Sequence, residues 1–402
     1  MRNVGMTTVA KARILVVGAV IALAWSAALS GAAAAGGGPY EVSQGFQRAS
    51  LGGNDSVTVT PGVLHSLFAA QDFQLDGSTG YSRSRLSYDE VGRTLTRRCE
   101  WEEGIAADGD LVVVLCSRSI APWQAWSNAL LLFRVSGSTQ SRPIAIQGSR
   151  GMTPNSATVA VSGRLVVAAW TDGRTGDVVL RRSTDGGVTF KPVITLGRAT
   201  MLGGRYEGRQ RNGRVQVAID GSNVYVAWHP GSVKTSKGLR PKGIRIRRST
   251  DGGKTFKRAT NPITAVQRPG APSAVATDTG VLVLHTTNDG RVRLLRSVDH
   301  GRSFRSAALT GASGSTGEID LAAAGMQVRA VWRTGTRVLL RRSGDGGSAW
   351  APPEDTGADR RVESTMEPNV VLFGEKTAVA WSDADPVWDS YGPSWVSAIL
   401  LP

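Results

Sequence analysis

The stretch RRSTDGGVTF at residues 181–190 returns as RRSTDGGKTF at 247–256, as LRSVDHGRSF at 295–304 and as RRSGDGGSAW at 341–350. One structural unit is therefore copied along the chain. Each copy follows a β-rich run (VVLRRS, IRIRRS, RLLRS, VLLRRS) and ends in an aromatic residue. It reads as strand, tight turn and strand, with Gly in the turn. A hairpin element copied at intervals predicts a repeat architecture. The repeated residues are those that a turn itself needs. An Asp carboxylate can accept backbone N–H groups inside its own turn, Gly takes the positive φ that other residues resist, and an aromatic anchors the turn from beneath.

Ahead of each copy lies a second signature, a strand, a Gly-containing turn and a more apolar strand: PNSATVAVSGRLVVAAW (154–170), RVQVAIDGSNVYVAW (214–228), PSAVATDTGVLVLH (272–285), EIDLAAAGMQVRAVW (318–332) and PNVVLFGEKTAVAW (368–381). Two earlier segments fit the same form, EWEEGIAADGDLVVVLC (100–116) and NDSVTVTPGVLHSLFAA (54–70), the latter followed by SRLSYDEVGRTL (84–95). The second strands end near Ala70, Cys116, Trp170, Trp228, His285, Trp332 and Trp381, at intervals of 46 to 58 residues. Each interval holds four short strands and their loops. The expectation is an all-β chain, a β-propeller of four-stranded antiparallel blades, seven in number, or six if unit 54–96 is not a blade. The last unit stops one strand short, at SWVSAILLP, so the segment Tyr40–Ala49 is expected to donate the missing strand and close the ring. The recurrent Trp residues read as packing between blades.

The pattern Ser183, Asp185, Gly187, Thr189, Phe190, repeated at Ser249, Asp251, Gly253, Thr255, Phe256 and in altered form around Asp299 and Asp345, resembles the Asp-box of bacterial neuraminidases. The chain thus resembles the sialidase-like superfamily of β-propellers. The resemblance implies that these turns are structural and lie on the face opposite the active site. A catalytic sialidase would also need three converging Arg residues, a Tyr nucleophile activated by Glu, an Asp acid/base and an aromatic-Arg-Ile-Pro motif. The early Arg residues stand instead in FQRAS (46–50) and YSRSRLS (81–87), without Ile-Pro. Tyr206 beside Glu207 does not supply the pair, because neighbours along a strand point to opposite faces. Arg205, Arg214 and Arg361 could form a clamp by placement alone.

Residues 1–35 read as a secretory signal. Arg2, Lys11 and Arg13 precede the uncharged run ILVVGAVIALAWSAAL (14–29), and small residues lead to cleavage near Ala35. An uncleaved anchor is the alternative; otherwise residues 36–402 form a single propeller domain, secreted or held at the cell surface, with no membrane span after cleavage. Losing three bases takes the net charge from +15 to +12, which points to acidic partners, an anionic carbohydrate or an extracellular protein. No motif for nucleic acid accompanies the charge. A monomer without cofactor or metal is expected, since His65, His229, His285 and His300 are not spaced as ligands. Cys99 and Cys116 flank the turn AADGD (106–110) at near-equal distances, and in an oxidising compartment they are expected to form a disulfide.

Ligand chemistry is sought in the segments that do not repeat. Arg205, Tyr206, Glu207, Arg209 and Arg211 put guanidinium donors, a phenol and a carboxylate into 203–214, a set suited to a carboxylated or sulfated sugar. Trp388 and Tyr391 offer faces for sugar rings, as do Trp123 and Trp126. The Lys- and Gly-rich segment 229–243 reads as a solvated basic loop. Three readings follow: a non-catalytic propeller binding an anionic glycan or protein through its loop face; an exo-acting glycoside hydrolase with Glu207, Glu363, Glu367, Asp383 or Asp385 as candidate acids; or a scaffold or assembly factor.

Overall fold

Second strands such as LVVAAWTD (165–172) show no polar alternation, the mark of a strand buried on both faces. The reason is visible in the computed structural model. It describes residues 40–41, 48–51, 57–60, 63–71, 84–88, 93–96, 101–119, 128–136, 139–147, 154–199, 215–230, 232–235, 238–241, 243–263, 272–287, 290–310, 315–335, 337–357, 366–373, 376–384 and 394–402. All of the regular structure there is β-strand.

Five discrete antiparallel blades stand side by side. The first contains Trp101–Asp108, Leu111–Ser119 and Asn128–Ser136, with Thr139–Gln140 and Ile144–Ala145 on the outer edge. The second is Pro154–Ser162, Leu165–Asp172, Asp177–Ser183 and Ile194–Arg198. The third is Val215–Asp220, Asn223–Trp228, Ile244–Ser249 and Thr260–Ile263. The fourth is Ser273–Thr277, Gly280–Thr286, Val292–Ser297 and Arg305–Ala308. The fifth is Ser315–Ala324, Gln327–Thr334, Arg337–Ser343 and Glu354–Asp355.

The expected count of seven blades, or six, is corrected here. The first and last repeat units do not stand as separate sheets but join in one sheet of nine strands. Its order is Met366–Phe373, Lys376–Ala384, Ser394–Leu401, Arg48–Leu51, Val63–Gln71, Ser84–Tyr88, Arg93–Thr96, with Tyr40–Glu41 on Ser394–Leu401 and Val57–Thr60 on Val63–Gln71. Arg48–Leu51 is the join: Arg48 bridges Ser394 in parallel, and the same strand pairs antiparallel with Val63–Gln71. Tyr40 and Glu41 pair with Ala398 and Ser397. The N-terminal segment therefore carries hydrogen bonds to both ends of the repeat array, which merges units that the sequence presents as two.

The first strand of each blade lies against that of the next, and Val57–Thr60 lies against both Trp101–Asp108 and Met366–Phe373. Apolar clusters fill the spaces between sheets. Val113, Leu115, Leu130 and Leu132 of the first blade pack with Val166, Ala168 and Trp170 of the second. Trp228 joins Val167, Ala169 and Leu180 of the second blade, and Trp332 joins Leu282, Leu284 and Leu294 of the fourth. Trp381 packs with Val331, Val338 and Leu340 of the fifth. At about 25 cal/mol per Å² of apolar surface, a buried Trp is among the largest single contributors to such an interface.

A bulge between Glu102 and Gly104 sets Cys116 opposite Glu102, and Cys116 is not a free thiol. Cys116 is wholly buried and Cys99 lies outside the described residues.

Candidate functional site

The repeated turns define one face of the molecule. The buried Ser183 hydroxyl donates to Asp185 Oδ1 at 2.6 Å and accepts the Gly187 N–H at 2.8 Å. Asp185 Oδ1 accepts from the Val188 and Thr189 N–H groups at 3.0 and 2.9 Å, and Oδ2 from the Thr189 hydroxyl at 2.6 Å. Asp251 repeats this with Ser249, the Thr255 N–H and the Thr255 hydroxyl. Asp299 does so with Ser297 and Ser303, and Asp345 with Ser343 and the N–H groups of Ser348 and Ala349. Hydroxyl donation, from Ser183 first and then Thr189, holds the Asp185 carboxyl well below the usual carboxylate range. Asp251 is held down likewise by Ser249 and Thr255. These carboxylates are ionised turn acceptors with no proton to lend at neutral pH.

Glycines complete the turn. Gly187 and Gly253 have φ of +83° and +75°, and Phe190 and Phe256 pack against the clusters shared with the preceding blade. Gly186 donates to Arg164 O, Gly252 to Ser222 O and Gly346 to Met326 O. These three repeated turns thus sit on the turn between the first two strands of their own blades. The other ends of those strands, where Pro154 faces Asp172 and Val215 faces Trp228, form the opposite face.

Both predicted ligand segments are rooted at that opposite face. Segment 203–214 leads into Val215, across from Trp228, and segment 385–393 joins Ala384 to Ser394, which face each other. Arg205, Tyr206, Glu207, Arg209, Arg211, Trp388 and Tyr391 themselves lie outside the described residues, as do Arg214, Arg361, Glu363 and Asp385. For Glu367 and Asp383 the backbone strands are described without their side chains.

The structure reveals a polar set that sequence reasoning missed. Thr158, Gln216, Ser273, Asp320 and Asn369 occupy equivalent positions on the innermost strands and are all buried. Each lies twelve residues before Trp170, Trp228, His285, Trp332 and Trp381 respectively, so a constant offset from the Trp position was the available signal. Asp320 accepts from the Ser273 hydroxyl of the fourth blade at 2.9 Å and from the Val370 N–H of the nine-stranded sheet at 2.9 Å. Glu103, the extra residue of the first-blade bulge, accepts from the Ser117 hydroxyl at 2.7 Å and from the Ala157 N–H of the second blade at 3.1 Å. These carboxylates join neighbouring innermost strands. Near the same end, burial pushes His229 and His285 down to about 4. His285 Nδ1 lies 3.2 Å from Thr286 O.

No protein-family model matches the sequence, and no curated protein matches it. Solved structures share the architecture. The polysaccharide lyase Uly1 aligns with a TM-score of 0.51 at 10% identity, over 87% of this chain and 90% of its own. The NanB sialidase of Streptococcus pneumoniae aligns at 0.41 and 10% identity, over 87% and 82%. YCF48, solved bound to D1 peptide, aligns at 0.44 and 10% identity, over 90% and 98%. The fold is that of a β-propeller, which this chain shares with Uly1.

A β-propeller does not by its fold determine a chemistry; that rests on the site. In this one six of the described carboxylates, Glu103, Asp185, Asp251, Asp299, Asp320 and Asp345, are engaged by hydroxyl and backbone donors. Among the described residues no group of three or more His, Cys, Asp or Glu side chains could hold a metal ion.

Proposed function

We propose that the chain is an exported sialidase-like propeller that binds an anionic glycan, or a protein partner, through the face opposite its repeated turns and does not cleave it. The observation that supports this most is how the strand arginines are used. Arg181 donates to Lys191 O, Phe190 O and Ile146 O; Arg247 and Arg341 make the corresponding three bonds. Their partners are neutral carbonyls, so the excess charge, +12 once residues 1–35 are removed from a chain of +15, is not cancelled at these sites and attracts polyanions over the surface. The carboxylates described above are spent on structural donors, whereas glycoside hydrolysis calls for two of them flanking a bond, roughly 5–10 Å apart. Export follows from the layout of residues 1–35.

The test is retention of the mature chain on an acidic polysaccharide column, with a fluorogenic glycoside panel run in parallel. Replacing Arg205, Arg209 and Arg211 together by Ser is expected to lower the eluting salt concentration, since exposed charge-assisted contacts are screened. The same number of charges removed at the exposed Lys191, Lys254 and Lys257 is expected to do less. Equal losses would mean that net charge alone drives adhesion. Turnover of any glycoside would replace the binding reading with the hydrolase.

A further inference from the structure

The third blade departs from its neighbours at one connection. Between second and third strands the second blade uses residues 173–176, the fourth 287–291 and the fifth 335–336. The third uses 229–243, and this excursion contains a hairpin of Ser232–Thr235 and Gly238–Pro241 that forms a two-stranded sheet of its own. Four residue pairs define it: Ser232 with Pro241, Val233 with Arg240, Lys234 with Leu239 and Thr235 with Gly238. The blade does not need the hairpin, because Trp228 pairs directly with Arg245 and the ladder runs on from there to Val224 and Ser249. The segment read as a solvated basic loop thus contains a hairpin.

We infer that this hairpin is a docking element for a linear anionic polysaccharide, an inference that rests on the polyanion-binding reading above and assigns it to a particular element. The first ground is charge. Residues 229–248 contain no Asp or Glu, and the excursion carries Lys234, Lys237, Arg240 and Lys242. The second is register. Lys234 pairs with Leu239 and Arg240 with Val233, so the two bases stand at successive register positions of the hairpin, a run of charge that a flexible chain can follow. The third is composition: 229–243 has no Trp, Tyr or Phe, the residues that seat an element in a lipid interface. The fourth is placement. The hairpin is rooted at Trp228, directly across from Val215, where segment 203–214 enters the same blade. A two-stranded hairpin is marginally stable alone in water, so a bound polyanion that neutralises its like charges also orders it.

The experiment uses the mature chain with dextran sulfate, polygalacturonate and vesicles containing anionic phospholipid as probes. The variant K234S/K237S/R240S/K242S is compared with K191S/K254S/K257S/R258S, which removes equal charge from exposed positions beside the repeated turns. Four ionic contacts predict at least about tenfold weaker binding for the hairpin variant and a much smaller change for the control. Dextran sulfate is expected to slow amide exchange in 232–241 of the parent chain, a readout independent of retention. The two polymers tell sulfate from carboxylate recognition. If the parent binds neither polymer, the polyanion reading fails and this inference with it. Binding lost only in the Arg205, Arg209 and Arg211 variant, or lost equally in the control, leaves that reading standing or reduces it to net charge, and overturns the hairpin. Tighter binding to vesicles than to either polymer overturns the polysaccharide assignment.

Discussion

At position 285 the repeat substitutes a titratable ring for an indole: Trp170, Trp228, Trp332 and Trp381 hold the equivalent place in other units. His285 is wholly buried and His229 nearly so, and desolvation of the charged ring lowers both to about 4. Between about pH 6.5 and pH 4 the unfolded chain binds protons at these rings that the folded chain refuses. Stability is therefore full above about pH 6.5, declines as pH falls towards 4 and levels off below it. Each ring contributes at most about 3 kcal/mol to that decline. Denaturant midpoints across this range measure it. His285→Trp is expected to flatten a large part of the slope, and an unchanged profile would show that His285 is not held neutral. A second exception is His300, with φ of +54° where other copies of the turn have Gly; its Nδ1 lies 3.4 Å from the Tyr225 hydroxyl of the third blade. Both His residues were visible in the sequence as deviations from a repeat, but burial and partner were not, because they depend on what the neighbouring blade presents.

The repeated turn is legible as an element because its determinants are local. Ser, Asp, Gly and Thr lie within the seven residues 183–189, and the hydrogen bonds found there are those that turn chemistry requires. Removing the Ser hydroxyl leaves a buried Gly N–H without its acceptor. Ser249→Ala is accordingly expected to cost about 1–3 kcal/mol in denaturant unfolding while leaving polyanion retention intact. Loss of retention in a protein of undiminished stability would place this turn in the binding face instead. The arginine two positions before Ser was legible as part of the unit. Its reach was not: one bond of each goes to the preceding blade, at Ile146, Leu196 or Leu309. In the fourth blade the position is Leu295, which joins the apolar cluster shared with the third blade. One position thus serves the interblade contact by hydrogen bonding in three copies and by apolar packing in the other.

For the whole molecule, closure rests on the strands Tyr40–Glu41 and Arg48–Leu51, which bind the C-terminal strand and Val63–Gln71. A chain starting after Leu51 is expected to expose the edges of Ser394–Leu401 and Val63–Gln71 and to self-associate. Size-exclusion chromatography and thermal melting check this; an unaltered elution volume and melting temperature would show that closure does not depend on the segment. The sequence by itself determined the all-β class, the repeated turn with its Asp and Gly roles, and the Trp residues as interblade packing. Each is written in residues close together or spaced by a period. Tertiary structure alone decided the rest. It made five blades and one nine-stranded sheet from seven repeat units, because an N-terminal strand bonds both ends of the array. It set Cys116 opposite Glu102, because a single bulge shifts register, and it formed a hairpin within 229–243. It also gathered Thr158, Gln216, Ser273, Asp320 and Asn369 onto equivalent innermost positions. Such outcomes depend on contacts between residues distant in sequence, whose pairing no local propensity specifies.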